Sequence, residues 1–292
     1  MRALTILLAT IVAAGAVLVG CTVTGTVYAR KQERRDLTVS STPTVVVDTF
    51  NGRIAAIAAG ADVVEVRVNS RGSGSDQAEA ERDLAQVAVD ITQVGDRITI
   101  TARRKDSPPA SGDSGADVEL YVPPDARLEL RTSNERIEAT NVTGTVIART
   151  SNGSIITRGG DDLDLDTSNG NVSVNGANGD LVVRTSNGGL DINGARDVSV
   201  TAETSNAPLT FSGSLAPGSH SLATSNANVS LTLPGDAAFT IAGSTSNGSV
   251  RTDFPRLVIE DTTIRGTTGV SSVTVVHATT SNGDLAVMQQ RP

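Results

Sequence analysis

Residues 148–174 read ARTSNGSIITRGGDDLDLDTSNGNVSV, and Thr-Ser-Asn-Gly occurs twice in this stretch, 17 residues apart. The triplet Thr-Ser-Asn occurs eight times in the 292-residue chain at gaps of 17 to 21 residues, except for a last gap of 35 that is close to two periods. Its asparagines are Asn134, Asn152, Asn169, Asn187, Asn206, Asn226, Asn247 and Asn282, and a weaker copy, Thr49-Phe50-Asn51-Gly52, lies upstream. A repeat this short cannot bury its own apolar face, so the copies must stack on one another.

The residues around each triplet alternate between apolar and polar. An aliphatic residue follows every Asn by three positions, as Ile155 follows Asn152 and Val172 follows Asn169. Alternation on both sides of a turn is typical of half-buried strands, and Asn-Gly tolerates the positive φ of tight turns. A sandwich of hairpins is the alternative. The uniform spacing favours an all-β fold, a parallel β-solenoid of about 17–21 residues per coil.

Stacking places equivalent residues of successive coils side by side. We predict that the Asn side chains point inward and form a structural ladder of hydrogen bonds at the turns. The outward residue before the Thr alternates in charge through Arg149, Asp166, Arg184 and Glu203, which predicts a surface ion-pair ladder. Exposed ion pairs contribute ~0–1 kcal/mol each, so this ladder would set the register of the coils more than their stability.

The composition argues against some classes of function. The chain has no Trp, two Tyr and four Phe, which suits a thin aliphatic core and disfavours an aromatic-lined groove for sugars or nucleic-acid bases. The net charge of −8 also disfavours nucleic acid as a partner. No motif indicates a cofactor.

The N-terminus carries a membrane-targeting signal. Residues 1–20 have the pattern of a signal peptide, with Arg2 followed by an apolar stretch. Leu18-Val19-Gly20-Cys21 resembles a bacterial lipobox, and Cys21 is the only cysteine of the chain, which makes it the candidate lipidation site. We expect residues 21–44 to form a basic juxtamembrane tether.

Two other readings of the N-terminus stay open. The apolar character continues to Ala29, which is long enough for a membrane-spanning helix, and the basic run at 30–35 would then place the domain in the cytoplasm. Val27-Tyr28-Ala29 also fits an ordinary signal-peptidase site, and cleavage there would release the protein.

The remaining residues, 45–292, are expected to form one domain in two parts. Residues 45–130 form an irregular N-terminal part, with strands at 63–68 and 98–102 and one helix near 75–87 that Ser75 or Asp76 caps. Residues 131–292 form the regular coils. The segment 253–271 interrupts the repeat and is expected to hold one degenerate coil and a loop.

Few residues suggest catalysis or metal binding. His220 falls at an inward position and His277 at an outward one. The acidic run 161–166 places Asp162, Asp164 and Asp166 on the outward side, where neighbours on one face of a strand lie ~7 Å apart, too far for a compact metal cage. We therefore assign no catalytic and no metal-binding residue. The serine of each triplet could offer a flat hydroxyl array to ice or sugar, but a hydroxyl beside a turn more often bonds local backbone.

This layout resembles the bacterial putative-adhesin, or toastrack, family of unknown function. The resemblance covers 45–287 and rests on VVVDTFNGRI at 45–54, VELYVPPDARLEL at 118–130, the helix-bearing insert between them and the serial TSNG motifs. It implies a single-stranded β-helix, which we expect to be right-handed, and attachment to the bacterial envelope, in some members as part of an envelope-stress system. No catalytic residue carries over from the family.

These features favour a non-enzymatic lipoprotein of the cell envelope that is anchored in the bacterial membrane and faces outside the cytoplasm. Its role would be adhesion, scaffolding or an envelope-stress interaction. We expect as partners the membrane through the lipid, an envelope protein or a glycan, and further copies of the chain through an exposed end of the solenoid. The alternative from another class is a polysaccharide-active β-helix enzyme.

Overall fold

The computed structural model describes residues 26–40, 42–60, 62–105, 113–269 and 273–291. Its strands are hydrogen-bonded into one continuous sheet that coils into a β-solenoid, which confirms the predicted fold class; the right-handed sense stays a prediction. In chain order the elements are β1 (Val27–Thr38), β2 (Thr44–Thr49), β3 (Ile54–Ala58), β4 (Val63–Gly74), α1 (Gln77–Leu84), β5 (Val87–Val94), β6 (Arg97–Arg104), β7 (Gly115–Val122), β8 (Arg127–Thr132), β9 (Ile137–Thr140), β10 (Val146–Thr150), β11 (Ile155–Arg158), β12 (Leu163–Thr167), β13 (Val172–Asn175), β14 (Gly179–Thr185), β15 (Leu190–Glu203), β16 (Leu209–Leu215), β17 (Gly218–Ala223), β18 (Val229–Leu233), β19 (Thr240–Ser244), β20 (Val250–Thr252), β21 (Val258–Glu260), β22 (Thr263–Thr267), β23 (Thr274–Thr279) and β24 (Leu285–Gln289).

Two columns of parallel strands build the rod. In the first column the strands that precede the triplets stack in register, so that Leu163 of β12 lies between Val146 of β10 and Leu181 of β14. In the second column the strands that follow the triplets do the same, and Val172 of β13 pairs with Ile155 of β11. This second column runs from β1 through β4, β7, β3, β9, β11, β13, β15, β16, β18 and β24 to β20. At ~4.8 Å between strands, it is ~50 Å long.

The inward side chains of both columns form one thin core. The aliphatic residue three positions after the Asn is buried in seven of the eight copies, and Val250 in the last coil is half-buried. Phe211 and Phe239 are the largest fully buried side chains. Thr157 is an exception in this aliphatic interior, because it is 1% exposed and its hydroxyl has no hydrogen-bond partner among the described residues.

The corner glycines serve close packing of the coils. Within the described residues, neither the Asn nor the Gly of any Thr-Ser-Asn-Gly copy has a φ in the left-handed region, so the expectation of positive φ was wrong. A Cβ on Gly170 would instead lie 1.8 Å from the carbonyl oxygen of Gly153 in the preceding coil. Ala207 and Ala227 take the same position in other coils, where they are half-buried rather than buried. A Cβ on Gly170 would therefore force this corner away from the preceding coil.

The coils do not stack in chain order at either end of the rod. The coil of β2 and β3 lies between the coil of β6 and β7 and the coil of β8 and β9. At the other end, the coil of β23 and β24 lies between that of β17 and β18 and that of β19 and β20. Residues 45–130, predicted to be irregular, therefore contribute two coils that share the register of the rest.

Antiparallel strands cap the N-terminal end. β5 pairs with β6, β4 pairs with β7, and β1 pairs with β4 along all 12 of its residues. The prediction of a tether at 21–44 was therefore wrong for residues 27–38, which form β1, and for Thr44, which is the first residue of β2. The reason is that β1 is an edge strand, so it buries little of its surface and keeps the charged composition of a linker.

The predicted helix is present as α1 and packs on this cap. Asp76 is its N-cap residue, and its carboxylate accepts a hydrogen bond from Glu79 N at 2.7 Å. The helix lies close against β4, since a Cβ on Gly72 would come within 2.2 Å of the backbone nitrogen of Leu84. Beneath it, the carboxylate of Asp83 pairs with Arg104 at 2.7 Å and accepts from Ser73 N at 2.8 Å.

The C-terminal end is capped on one column only. β22 pairs antiparallel with β19, and β21 pairs antiparallel with β22, so the interruption after Asp253 is a hairpin rather than the predicted degenerate coil. β20 pairs with β24 on one side, and within the described residues no strand covers its other side. The hairpin lacks a triplet, and its strands pair antiparallel rather than continuing the parallel columns.

Candidate interaction surface

The threonine of each triplet is the inward residue of the corner. Thr167 is 1% exposed; its hydroxyl donates to the carbonyl oxygen of Gly153 in the preceding coil at 3.0 Å and accepts from Gly170 N at 3.2 Å. The threonines at this position are all buried: Thr49, Thr132, Thr150, Thr167, Thr185, Thr204, Thr224, Thr245 and Thr280. These hydroxyls satisfy backbone groups that would otherwise be buried without a partner.

The asparagines form one hydrogen-bonded column through nine coils of the rod. Each Nδ2 donates to the Oδ1 of the Asn in the preceding coil of the stack at 2.6–2.8 Å. The order of the column is Asn51, Asn134, Asn152, Asn169, Asn187, Asn206, Asn226, Asn282 and Asn247. Apart from Asn51, these residues are exposed, so their predicted inward orientation was wrong. The inward place at the corner belongs to the threonine.

The serines contribute their backbone rather than their side chains. Ser168 N and Asn169 N both donate to the carbonyl oxygen of Ser151, at 3.2 and 3.0 Å, and the other corners repeat this pattern. The serine side chains at these corners are exposed. The backbone hydrogen bonds of the corner therefore hold successive coils together. The serine hydroxyl and asparagine amide groups lie on its outer side.

The four residues of the predicted ion-pair ladder are adjacent but do not form a continuous ladder. The strand register places Arg149 beside Asp166, Asp166 beside Arg184, and Arg184 beside Glu203. Arg184 and Glu203 form an ion pair at 3.7 Å. Arg149 instead forms an ion pair with Asp164, which lies diagonally across from it in the next coil. Its guanidinium also donates a hydrogen bond to the backbone carbonyl oxygen of Asp164 at 2.6 Å. No ion pair of Asp166 is found among the described residues.

The acidic row, Asp162, Asp164 and Asp166, lies on the outer face at β12 and directly before it. Its carboxylates contact different partners. Asp164 pairs with Arg149, and Asp162 accepts from Asp180 N at 3.0 Å in the next coil. In the part of the chain that the structure describes, no three His, Cys, Asp or Glu side chains are arranged to hold a metal ion. The carboxylates of this row therefore do not converge on one point where they could together contact a substrate or a metal ion.

The two histidines lie on opposite faces of the solenoid sheet, as predicted. His220 is 1% exposed; its Nδ1 accepts from Val200 N at 3.2 Å and its Nε2 lies 2.9 Å from the carbonyl oxygen of Ala216. Burial lowers the pKa of His220, and the hydrogen bond to Ala216 opposes this shift only in part. The ring is therefore a neutral core group, with its proton on Nε2. His277 is exposed.

A recess on the N-terminal cap was missed by the sequence analysis. Its volume is about 580 Å³, and it is lined by Tyr28, Arg30, Gln32, Asn69, Ser70, Arg71, Asp113 and Asp117. The hydroxyl of Tyr28 donates to Asp113 at 3.1 Å, and this bond raises the pKa of Tyr28. The alternation of Tyr28, Arg30 and Gln32 was the available signal, and the interpretation of this segment as a tether concealed it.

The predicted anchor lies outside the described residues. Cys21 and the predicted signal peptide at 1–20 fall in this part, and so does most of the alternative membrane-spanning segment. The helix that the structure describes, α1, has eight residues and is too short to cross a bilayer; none of the described residues forms a membrane-spanning helix.

The corners and columns define a β-solenoid scaffold built from a short repeat. The chain belongs to the Toastrack family DUF4097, whose family model matches residues 56–288. No curated protein matches the sequence at a significant level.

The chain is also similar to solved structures that share little of its sequence. A putative adhesin from Bacteroides fragilis is 11% identical at a TM-score of 0.40, over 88% of this chain and 96% of that one. A putative lipid binding protein from Parabacteroides distasonis is 10% identical at a TM-score of 0.39, over 89% and 97%. A putative cell adhesion protein from Clostridium sporogenes is 9% identical at a TM-score of 0.31, over 90% and 100%.

Proposed function

We propose that this protein is a non-enzymatic interaction module of the cell envelope, anchored through lipidated Cys21 and facing outside the cytoplasm. The observation that carries the proposal is the position of the first strand. β1 begins at Val27, six residues after Cys21, so the whole solenoid follows directly on the anchor. The exposed columns of a rod that is held in this way are available to another envelope protein or to a glycan.

Mass spectrometry of the mature N-terminus tests the anchor. A diacylated or triacylated Cys21 supports it, and Cys21→Ser should abolish the lipid and release the protein from the membrane. An intact Met1 would contradict the proposal. Protease treatment of intact cells separates the two sides of the membrane, because only an outward-facing rod is digested there.

We propose the uncharged outer face of the second column as the contact surface. Residues 204–235 contain no Lys, Arg, Asp or Glu, and in this part Thr210 of β16 lies beside Ser230 of β18 with outward side chains. T210R/S230R should reduce binding of the full chain to purified envelope fractions at least tenfold. S205R/S225R adds the same charge to the exposed corners of the same coils and is the matched control. Equal binding by both variants would contradict this choice of surface.

The non-enzymatic part has a separate test. If the acidic row performed hydrolysis or elimination on a polysaccharide, D162N/D164N/D166N would abolish a measurable activity of the wild-type chain while the fold stayed intact. We expect no such activity with envelope polysaccharides in either protein. Loss of an activity in the triple variant alone would overturn the proposal.

A further inference from the structure

We propose that β1 is the edge by which the rod rests on an anionic membrane surface, so that the rod stands upright with the coil at 240–252 farthest from the bilayer. This inference rests on the proposed anchor at Cys21. β1 is the outermost strand of the second column, and it runs across the rod axis. Six residues span at most ~20 Å, so the anchor holds the start of this strand, Val27, within that distance of the bilayer surface.

The charges on β1 provide contacts for lipid headgroups. β1 and β4 place four arginines on one face as two directly opposed pairs, Arg30 with Arg71 and Arg34 with Arg67. Opposed like charges are unfavourable unless other charges compensate them. The carboxylate partners are Asp117 for Arg71 at 3.0 Å, and Glu65 for Arg34 at 3.1 Å and for Arg67 at 2.5 Å. Among the described residues, no carboxylate pairs with Arg30.

The uncompensated cations lie at the end of β1 that is nearest to the anchor. Lys31 follows Arg30 on the opposite face of the strand; it is exposed and forms no ion pair within the described part of the chain. Further along β1, the side chain of Arg35 is neutralised by Glu33 at 3.0 Å. Phosphate groups of anionic lipids could therefore approach the outer edge of β1 and meet a cation on either face.

The charge of the coils beyond the cap disfavours a rod that lies flat. Residues 26–122, which include the N-terminal cap and β7, hold 12 Lys and Arg against 15 Asp and Glu, a net charge of −3, so contact with anionic lipid depends on the local cations of β1. Residues 123–292 hold 11 against 17, a net charge of −6. An anionic membrane repels this second part, and a rod that lay flat would bring it against the lipid. The upright rod keeps that charge beyond a Debye length of ~8–10 Å for most of its coils.

The orientation can be measured by fluorescence resonance energy transfer from a donor label on the protein to acceptor labels on the lipid headgroups. Because Cys21 is the only native cysteine and is occupied by lipid in the proposed anchor, T38C in β1 and S246C in the last coil each provide one labelling site. The lipidated full chain is reconstituted in bilayers of phosphatidylcholine with 30 mol% phosphatidylglycerol and headgroup acceptors. We expect strong transfer at position 38 and at least fivefold weaker transfer at 246. Equal transfer at both sites would overturn the upright orientation alone, whereas a chain without lipid that stays in solution would overturn the proposed function together with this inference.

Charge variants test the contact. A basic residue near an anionic surface strengthens binding about fivefold, so R30Q/K31Q should shift the balance between upright and other orientations by about 25-fold and raise the transfer at 246. R131Q/R158Q removes two exposed arginines along the rod that form no ion pair within the described residues, and it should leave the transfer unchanged. Pure phosphatidylcholine should reproduce the effect of R30Q/K31Q in the wild-type chain. An unchanged transfer in R30Q/K31Q would overturn the role of these two residues.

Discussion

The carboxylate of Asp83 and the guanidinium of Arg104 meet at 2.7 Å inside the N-terminal cap, and both side chains are more than nine-tenths buried. Loss of one partner leaves the other charge buried, which typically costs ~3–5 kcal/mol. We expect Asp83→Asn to lower the free energy of unfolding by about that amount, as measured by urea denaturation. Glu81→Gln on the exposed side of the same helix is the control and should change it by less than ~0.5 kcal/mol. A similar small effect for both variants would show that Arg104 finds another partner.

The buried hydroxyl of Thr157 should be a net cost to the fold. It has no hydrogen-bond partner among the described residues, and Val has nearly the same shape. Thr157→Val is therefore expected to raise the free energy of unfolding by ~1–2 kcal/mol. Thr167→Val is the matched control one coil away, because its hydroxyl donates to Gly153 O and accepts from Gly170 N. That variant should lower the free energy of unfolding by ~1–3 kcal/mol. If both variants changed the free energy of unfolding in the same direction, this account of the two hydroxyls would be wrong.

The corner glycine should matter more than the exposed amide beside it. Gly170→Ala must move this corner away from Gly153 O, which disturbs the hydrogen bond from Gly170 N to Thr167 Oγ1. We expect a loss of ~2–3 kcal/mol in the free energy of unfolding. Asn169→Ala removes two exposed hydrogen bonds of the Asn column and one from Nδ2 to Ser151 O, and it should cost ~1 kcal/mol. Ala207→Gly serves as the control and should change stability by no more than ~1 kcal/mol. A larger loss in Asn169→Ala than in Gly170→Ala would reverse the roles assigned to them.

His220 should make the stability of the fold sensitive to mild acid. Its folded-state pKa lies below its unfolded value of about 6.5, so the unfolded chain binds the proton more readily in the window below pH ~6.5. The free energy of unfolding should therefore fall as the pH falls through this window, until the pH reaches the lowered folded pKa. Urea midpoints at pH 7.5, 6.5 and 5.5 measure the slope. His220→Gln should reduce the slope, and the exposed His277→Gln should not. An equal reduction in both variants would place the effect elsewhere.

The repeat was sufficient to predict the coil, because its information is local. An aliphatic residue three positions after each Asn and alternation on both sides specify which side chains face inward, and those side chains are buried. The Asn column also follows from equal spacing, since residues in equivalent places of stacked coils must be neighbours. Its exposure did not follow from the sequence, because Thr and Asn both suit a corner and only the path of the backbone decides which of them is turned inward.

The ends of the rod could not be predicted in this way. The coil that holds Asn282 matches its neighbours as well in chain order as in its observed place between Asn226 and Asn247. Local pattern therefore cannot distinguish the two arrangements. The candidate membrane edge was hidden for a related reason, since the charged residues of β1 look like a linker until their pairing with β4 is known. The diagonal contact from Arg149 to Asp164 likewise depends on side-chain reach rather than on register.

The sequence by itself determined that this protein is a stacked β-solenoid in which most coils have a triplet between their two strands, because short-range alternation and near-equal spacing act within one or two coils. Only the tertiary structure decided which coils are neighbours at the two ends, which strands cap them and which cations of β1 form no ion pair with the described residues. Those features depend on pairings between residues that are far apart in the chain, where many registers satisfy the same local pattern and the packing of the whole rod selects one.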